Sequence, residues 1–175
     1  MESRSQIFAC VGPESTGKTT LCRQLANHFG GFIVPEFARE FLNQTKGKYE
    51  KSDLLTIAKG QFELERDIVS DSKDLVFSDT DALVVKVWHE FKYQALSPEI
   101  DEILNNQSPR KYLLAYPDLD WKPDPLRENP SDLLEIFNFY EKTLNEIGAE
   151  FKVVRGTGNE RLNAAIDAIN QMKLD

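Results

Sequence analysis

The stretch Gly12-Pro13-Glu14-Ser15-Thr16-Gly17-Lys18-Thr19 decides how this chain folds. It matches the pattern G-x-x-x-x-G-K-[ST] and follows the apolar run Ile7-Phe8-Ala9-Cys10-Val11. Glycines allow the backbone to curl so that successive N–H groups point at one phosphate chain, and a helix that begins near Gly17 adds the positive end of its dipole. The sequence therefore predicts a strand, a phosphate-binding loop and a helix, in that order.

Residues of this loop are predicted to hold the phosphates of a donor nucleotide. The candidate binding residues are Gly12, Glu14, Ser15, Thr16, Gly17, Lys18, Thr19 and Thr20. We expect the Lys18 ammonium to reach the β- and γ-phosphates of ATP, and the Thr19 hydroxyl to bind Mg²⁺. The alternative, a glycine-rich turn with a surface lysine, gives no packing role to the polar sequence between the glycines.

Composition and charge limit the classes of function. The chain has 175 residues, 41% of them hydrophobic, which suits one domain over residues 1–175 with a full core. Its 21 basic and 29 acidic residues give a formal net charge of −8, which argues against binding nucleic acid through its phosphates. No apolar run approaches the ~20 residues of a membrane span, so we expect no membrane segment and a cytoplasmic location. Cys10 and Cys22 are predicted to be buried, reduced thiols.

A second apolar run, Phe32-Ile33-Val34, is stopped by Pro35 and followed by Glu36 and Arg39. Open α/β sheets bind ligands beyond the carboxyl ends of their strands, so a carboxylate at this position is well placed for chemistry. The alternative is that Glu36 and Arg39 are ordinary first-turn helix residues, with the acid at the positive end of the dipole.

A third apolar run, Leu75-Val76-Phe77-Ser78, leads into Asp79 and Asp81. In phosphate-loop proteins an acid on a neighbouring strand holds Mg²⁺ opposite the loop hydroxyl, and Asp79 is our first choice for that task. Asp81 is predicted to bind the acceptor or its hydroxyls. The alternative for both acids is a helix cap. On the helix that follows, Trp88 and His89 are predicted to be packing residues rather than ligands.

A fourth apolar run, Tyr112-Leu113-Leu114-Ala115-Tyr116, precedes residues 117–130. These residues contain four prolines, which exclude a regular helix or central strand. We predict that they form a lid, because a phosphoryl-transfer enzyme must keep water from the γ-phosphate. Arg127 and Lys122 would supply positive charge, and Trp121 would stack on a ring of the acceptor. The alternative is a surface loop with Trp121 tucked beneath it.

Strands and helices alternate five times along the chain, without an internal repeat. A fifth strand at residues 151–154 is followed by Gly156 to Arg161, a weaker candidate for contact with the adenine. One α/β domain with a five-stranded parallel sheet is the expected outcome.

Four stretches together resemble the kinase domain of the NadR family of NAD-biosynthesis proteins. They are the phosphate-binding loop, Pro35-Glu36-Phe37-Ala38-Arg39-Glu40, Asp79-Thr80-Asp81, and Trp121-Lys122-Pro123-Asp124-Pro125-Leu126-Arg127. The resemblance implies a P-loop NTPase fold, a three-layer α/β/α sandwich with strand order 2-3-1-4-5. It also implies a kinase that uses ATP and Mg²⁺ to phosphorylate the 5′-hydroxyl of nicotinamide riboside, giving nicotinamide mononucleotide.

The expected phosphoryl transfer suggests roles for single residues. Glu36 is expected to accept the proton of the acceptor hydroxyl, with Asp81 as the rival base. Lys18, Arg39 and Arg127 would balance charge on the transferred group. Further acceptor contacts are expected from Arg39, Asp81, Trp121 and Asp124.

Family members often carry an adenylyltransferase domain, for which this chain has no room ahead of its first strand. We therefore expect the product to pass to a separate adenylyltransferase, and the sequence is compatible with a homo-oligomer. Two other functions stay open: a kinase for another nucleoside or small metabolite, and a regulatory ATPase with the same phosphate-binding loop.

Overall fold

The apolar run ahead of the phosphate-binding loop forms the central strand of a five-stranded parallel sheet. The computed structural model describes residues 5–70, 74–128 and 130–174, with the strand order β2-β3-β1-β4-β5. The strands are β1 (Gln6–Val11), β2 (Phe32–Val34), β3 (Leu75–Asp79), β4 (Arg110–Ala115) and β5 (Phe151–Val154). The helices are α1 (Lys18–Phe29), α2 (Phe37–Gln44), α3 (Asp53–Ser70), α4 (Ala82–Tyr93), α5 (Pro98–Asn106), α6 (Leu133–Glu146) and α7 (Gly158–Leu174). The predicted fold class and strand order are confirmed.

The sequence of β1 explains its central position. A strand with neighbours on both sides and helices on both faces must be apolar on both faces, and Ile7 to Val11 are at most 2% exposed. Alternate residues point to opposite faces. Phe8 and Cys10 pack against α1 and α7, whereas Ala9 and Val11 pack against α4 and α6.

Helix α3 completes the second face of the sheet, and α5 packs against α3 and α4. The apolar side of α3 contributes Leu54, Ile57 and Ala58 to a cluster with Val85 of α4 and Ile100 of α5. Further along α3, its last turns cover Ile7, Val34 and Val76 of the three strands on that side. This arrangement gives the three layers that the resemblance implied.

The segment between β4 and α6 contains no helix or strand within its described residues, 116–128 and 130–132. This agrees with the effect of its prolines, and residue 129 of the predicted lid lies outside the described residues. Across the described ranges, every helix is too short or too polar to cross a membrane.

Candidate active site

A cleft of about 790 Å³ opens at the carboxyl edge of the sheet. Segments that follow three strands line one side of it. They are the phosphate-binding loop after β1, Glu36 and Arg39 after β2, and the lid after β4. The opposite wall is mostly apolar and comes from α4 and α6. Its side chains are Val84, Val87, Trp88, Phe91, Ile136 and Tyr140. The cleft therefore combines a polar end at the phosphate-binding loop with an apolar end at these helices.

Two glycines are required for the backbone path of the loop. Gly12 has φ +135°, and a Cβ there would lie 2.7 Å from the carbonyl oxygen of Ala115. Gly17 has φ +76°, and its Cβ would lie 3.0 Å from the Leu119 side chain. Any L side chain at either position would be strained by the backbone conformation as well as by its neighbours. Glycine thus lets the loop pass close to the segment after β4.

The amino terminus of α1 faces the cleft without a side-chain cap. Gly17 occupies the cap position, and the first turn contains no acidic residue. The first N–H groups of the helix therefore have no side-chain acceptor from the cap, and the helix dipole favours an anion there. The Lys18 ammonium donates hydrogen bonds to the carbonyl oxygens of Gly12 at 2.9 Å and Pro13 at 2.7 Å. Burial lowers the pKa of Lys18, against the opposing effect of nearby carboxylates, chiefly that of Glu36.

Asp79 at the end of β3 has a buried oxygen without a hydrogen-bond partner among the described residues. The side chain is 3% exposed, and Oδ1 is the unpartnered atom. Burial raises the pKa of Asp79, and a hydrogen bond with the Thr19 side chain opposes that shift. A buried carboxylate oxygen beside a hydroxyl fits a Mg²⁺ ion, which is usually bound by one or two protein ligands with phosphate and water completing its shell. No group of three His, Cys, Asp or Glu in the described ranges forms a metal site by itself.

Glu36 sits at the amino-cap position of α2 and lines the cleft. Its side chain makes no capping hydrogen bond, but Glu36 lies at the positive end of the helix dipole and Arg39 in the first turn, as in the predicted alternative. Helix α3 fixes this turn because the Gln61 side chain accepts a hydrogen bond from Phe37 N at 2.8 Å and donates one to Pro35 O at 3.2 Å. Burial, and then the charge of Asp79, raise the pKa of Glu36.

Arg39 lines the cleft and connects Glu36 to the lid. Its Nε lies 3.7 Å from a Glu36 oxygen, and its Nη1 donates to Asp124 at 3.2 Å. Asp124 itself lines a smaller neighbouring groove and not the main cleft. It also accepts a hydrogen bond from Leu126 N at 2.9 Å, which lowers its pKa. Its structural contacts are therefore within the lid and to Arg39.

Asp81, predicted to bind the acceptor, does not lie on the cleft lining, and its side chain is fully buried. Asp81 caps α4 by accepting from Leu83 N at 3.0 Å, which was the alternative role. It also accepts from the Tyr112 hydroxyl at 3.0 Å and pairs with Arg110 at 3.5 Å. Burial raises the pKa of Asp81 to about 6. Thr80, which lies between the two acids, has φ +72°, in the left-handed region, and the two acidic side chains lie in different surroundings.

Trp88 packs against the core cluster of α3, α4 and α5, as the sequence predicts, but it also borders the cleft. Trp121 does not line the main cleft, and its ring lies 5.9 Å from the guanidinium of Arg127. Trp88, predicted to be a packing residue, lines the apolar wall, and its indole N–H donates to the Tyr49 hydroxyl at 3.0 Å. His89 is buried, with Nδ1 2.9 Å from the carbonyl oxygen of Ala95, as expected of a packing residue. The helical spacing of the apolar residues on α4 did not indicate that this face of the helix borders a cleft as well as the core.

The lid lies against the phosphate-binding loop. Lys122 N donates to Ser15 Oγ at 2.9 Å, and Glu128 N donates to a Glu14 carboxylate oxygen at 3.0 Å. Arg127 lines the cleft, with Nη1 3.5 Å from Ser15 Oγ. The Lys122 side chain, by contrast, is exposed and lies outside the cleft lining.

The segment Gly156 to Arg161 is tied to the start of the lid. Gly156 N donates to Asp118 at 2.7 Å, and the Arg161 guanidinium binds Asp118 and the carbonyl oxygen of Tyr116. These contacts join the loops after β4 and β5. They do not place the segment in the main cleft.

Comparison with protein families matches residues 7–161 to a family model described as AAA domain. A comparison with curated protein sequences gives no match.

Solved structures with similar folds include two of NadR protein. The structure in complex with NR has a TM-score of 0.84 and 23% identity, over 95% of this chain and 50% of the NadR chain. The structure in complex with NAD and AMP-PNP has a TM-score of 0.78 and 23% identity, over 95% and 49%. The chain thus spans about half the length of NadR. The resemblance to NadR is confirmed at the level of the fold.

Two further kinases match over nearly their whole length. Thymidylate kinase from Ehrlichia chaffeensis has a TM-score of 0.66 and 13% identity, over 97% of this chain and 99% of its own. Deoxyadenosine kinase from M. mycoides with bound dATP has a TM-score of 0.61 and 11% identity, over 94% and 99%. The fold is therefore one that nucleoside and nucleotide kinases share.

Proposed function

We propose that this chain, which belongs to the AAA domain family, transfers the γ-phosphoryl group of ATP to the 5′-hydroxyl of a nucleoside. The observation that carries this proposal is the pairing of two ends in one cleft. A phosphate-binding loop with Lys18 lines one end, an apolar wall that includes Trp88 lines the other, and Glu36 lies on the same lining. A regulatory ATPase needs the first of these features but does not need an apolar wall in the same cleft.

In the proposed reaction, the nucleoside O5′ forms a bond to the γ-phosphorus as the bond between that phosphorus and the β,γ-bridging oxygen breaks. The hydroxyl proton passes to the Glu36 carboxylate, whose raised pKa suits it to accept a proton. The loop N–H groups and Lys18 hold the donor phosphates, and Arg39 and Arg127 balance charge on the transferred group. Asp79 and Thr19 would hold Mg²⁺, which neutralises charge on the phosphate oxygens when bound.

Nicotinamide riboside is the acceptor that we propose. Its pyridinium ring is a cation, and the face of a tryptophan attracts cations and flat rings. Trp88 stands on the apolar wall, held at its indole N–H by Tyr49, and Glu36 adds negative charge to the same cleft. The fold is similar to that of NadR, which has been crystallised in complex with NR.

The test is a panel of nucleosides assayed with ATP and Mg²⁺, measuring both ADP release and the phosphorylated product by mass spectrometry. Nicotinamide riboside should give the highest kcat/KM, and Lys18→Met should abolish turnover. Trp88→Ala should raise the KM for the nucleoside several-fold more than the matched Trp121→Ala. Turnover of a different nucleoside alone would defeat the substrate proposal. ADP release that ignores every acceptor would defeat the kinase proposal in favour of a regulatory ATPase.

A further inference from the structure

Glu128, at the end of the lid, contacts two residues of the cleft lining, Glu14 and Lys92, and also Tyr49, which lies outside that lining. Its carboxylate accepts a hydrogen bond from the Tyr49 hydroxyl at 2.7 Å. The Lys92 ammonium on α4 donates to both of its oxygens at 3.1 Å. Its backbone N–H donates to Glu14 of the phosphate-binding loop at 3.0 Å. One lid residue thus joins the phosphate end of the cleft to the apolar end.

The partners of Glu128 are themselves fixed in place. Lys92 also donates to the Tyr49 hydroxyl, and its Nζ lies 4.4 Å from the centre of the Tyr49 ring. Trp88, one turn earlier on α4, donates to the same hydroxyl at 3.0 Å. Burial raises the pKa of the Tyr49 phenol to about 12, so the hydroxyl keeps its proton for Glu128 at neutral pH. The partners of the Glu128 carboxylate therefore come from α4, which also contributes to the apolar wall, and from Tyr49 in the loop between α2 and α3.

Arg127 lies between the two ends of the docked lid. On one side Lys122 N is hydrogen-bonded to Ser15, and on the other Glu128 is bound to Lys92, Tyr49 and Glu14. Between these anchors the Arg127 guanidinium lines the cleft, near Ser15. Because Glu128 and Lys92 are each more than a third exposed, their ion pair is weak enough to break and re-form as substrates enter and leave.

We propose that Glu128 is a positioning residue that latches the lid to Lys92 and Tyr49 and thereby places Arg127 against the phosphate-binding loop. This inference rests on the proposed kinase function. Lys92 and Trp88 line the acceptor end of the cleft, so an acceptor packed there supports the latch. Closure is then coupled to the presence of an acceptor, which limits loss of the γ-phosphoryl group to water.

The kinetic test uses Glu128→Gln, with Glu135→Gln as the matched control because it removes the same charge from an exposed position on α6. Glu128→Gln should lower kcat for transfer about tenfold and change the KM for ATP less than twofold. The ADP that forms by ATP hydrolysis, without transfer to an acceptor, should rise as a fraction of all the ADP formed. Lys92→Met should act similarly, and the double variant should be no worse than either single variant, because both break one latch. Additive losses, or a Glu128→Gln enzyme equal to the control, would overturn the inference.

A second measurement separates this inference from the proposed function. Hydrogen exchange of peptides covering residues 119–128, followed by mass spectrometry, reports lid opening whether or not an acceptor is turned over. Glu128→Gln should speed exchange of this segment about tenfold relative to Glu135→Gln. Equal exchange overturns the latch even if the enzyme is a kinase. Faster exchange in an enzyme that phosphorylates no nucleoside supports the latch and defeats the kinase proposal.

Discussion

Glu36 and Asp81 both follow the carboxyl end of a strand, but their surroundings give them different tasks. Asp81 is fully buried and its oxygens are used by Leu83 N, the Tyr112 hydroxyl and Arg110. Glu36 makes no capping bond and its side chain is 25% exposed on the cleft lining. A base must meet its proton donor within hydrogen-bond reach, and of these two carboxylates only Glu36 lies on the cleft lining.

The pH dependence of the reaction tests the role of Glu36. A base acts in its ionised form, and burial raises the pKa of Glu36, so kcat/KM should fall with decreasing pH through a pKa above the usual ~4.3 of a glutamate. Glu36→Gln should lower kcat by about 10²-fold or more and remove this acid limb, while the Kd for nucleotide stays within about twofold. Rates measured between pH 4.5 and 9 give the profile.

Glu40→Gln is the control for Glu36, because Glu40 lies exposed one turn along the same helix. Near-wild-type rates in Glu36→Gln, with the acid limb intact, would remove the residue from the chemistry.

At the scale of elements, the contact between α2 and α3 sets the position of Glu36. Gly60 of α3 is covered by the Phe37 ring, and a Cβ at Gly60 would lie 2.3 Å from Phe37 Cε1. One residue further, Gln61 binds both sides of the β2–α2 turn. The close contact between α2 and α3 therefore fixes the turn that carries Glu36, although this proposed catalytic residue lies outside the interior of both helices.

Gly60→Ala tests this contact between the helices. Alanine favours the helix by about 0.5–1 kcal/mol, but overpacking against the ring costs about 1–3 kcal/mol. The net effect should be a loss of about 1 kcal/mol and a fall in Tm of roughly 2–4 °C, with a lower kcat because the turn shifts. Thermal unfolding and steady-state kinetics measure both. The exposed Lys59→Ala should leave Tm and kcat nearly unchanged, and a Gly60→Ala protein more stable than the wild type would contradict the argument.

Local patterns in the sequence predict the elements well, since each depends on neighbours in the chain. The loop glycines and the apolar strand runs are signals of this kind, whereas the strand order was implied by the resemblance to the NadR family. The site is harder to predict because it depends on where side chains point after the chain turns. One left-handed residue, Thr80, decides that Asp79 and Asp81 separate.

Contacts between distant residues account for most of what the sequence analysis missed. The i, i+3, i+4 spacing of Val84, Val87 and Trp88 is the same for a helix face against the core and for one beside a cleft, so it could not identify Trp88. Lys92 and Glu128 are 36 positions apart, and nothing local pairs them. Proline content predicted that residues 117–130 lack regular structure, but not that they dock on the phosphate-binding loop.

At the scale of the whole molecule, a net charge of −8 has to be reconciled with a polyanionic donor. The described residues of the cleft lining include four cations and three acids, which are Lys18, Arg39, Lys92, Arg127, Glu14, Glu36 and Glu128. The helix dipole of α1 and the loop N–H groups add positive potential at the amino terminus of α1, which is not capped by an acidic side chain. The local field at the loop therefore opposes the overall charge.

The same reasoning predicts that Mg²⁺ binds tightly only together with a nucleotide. Asp79 and Thr19 supply too few ligands to dehydrate the ion alone, whereas phosphate oxygens complete its shell. Mg²⁺ alone should move Tm by less than about 1 °C. A non-hydrolysable ATP analogue with Mg²⁺, at about a hundred times its Kd, should add about 2.7 kcal/mol and raise Tm by roughly 5–10 °C.

Asp79→Asn should keep the stabilisation by the analogue alone and lose the increment that Mg²⁺ adds to it, because the neutral amide removes the buried negative charge. The exposed Asp67→Asn on α3 is the matched control and should keep the full increment. Differential scanning fluorimetry with analogue alone, Mg²⁺ alone and both together separates the contributions. A large shift with Mg²⁺ alone, or an undiminished increment in Asp79→Asn, would mean that the ion is held elsewhere and that the buried oxygen of Asp79 serves another partner.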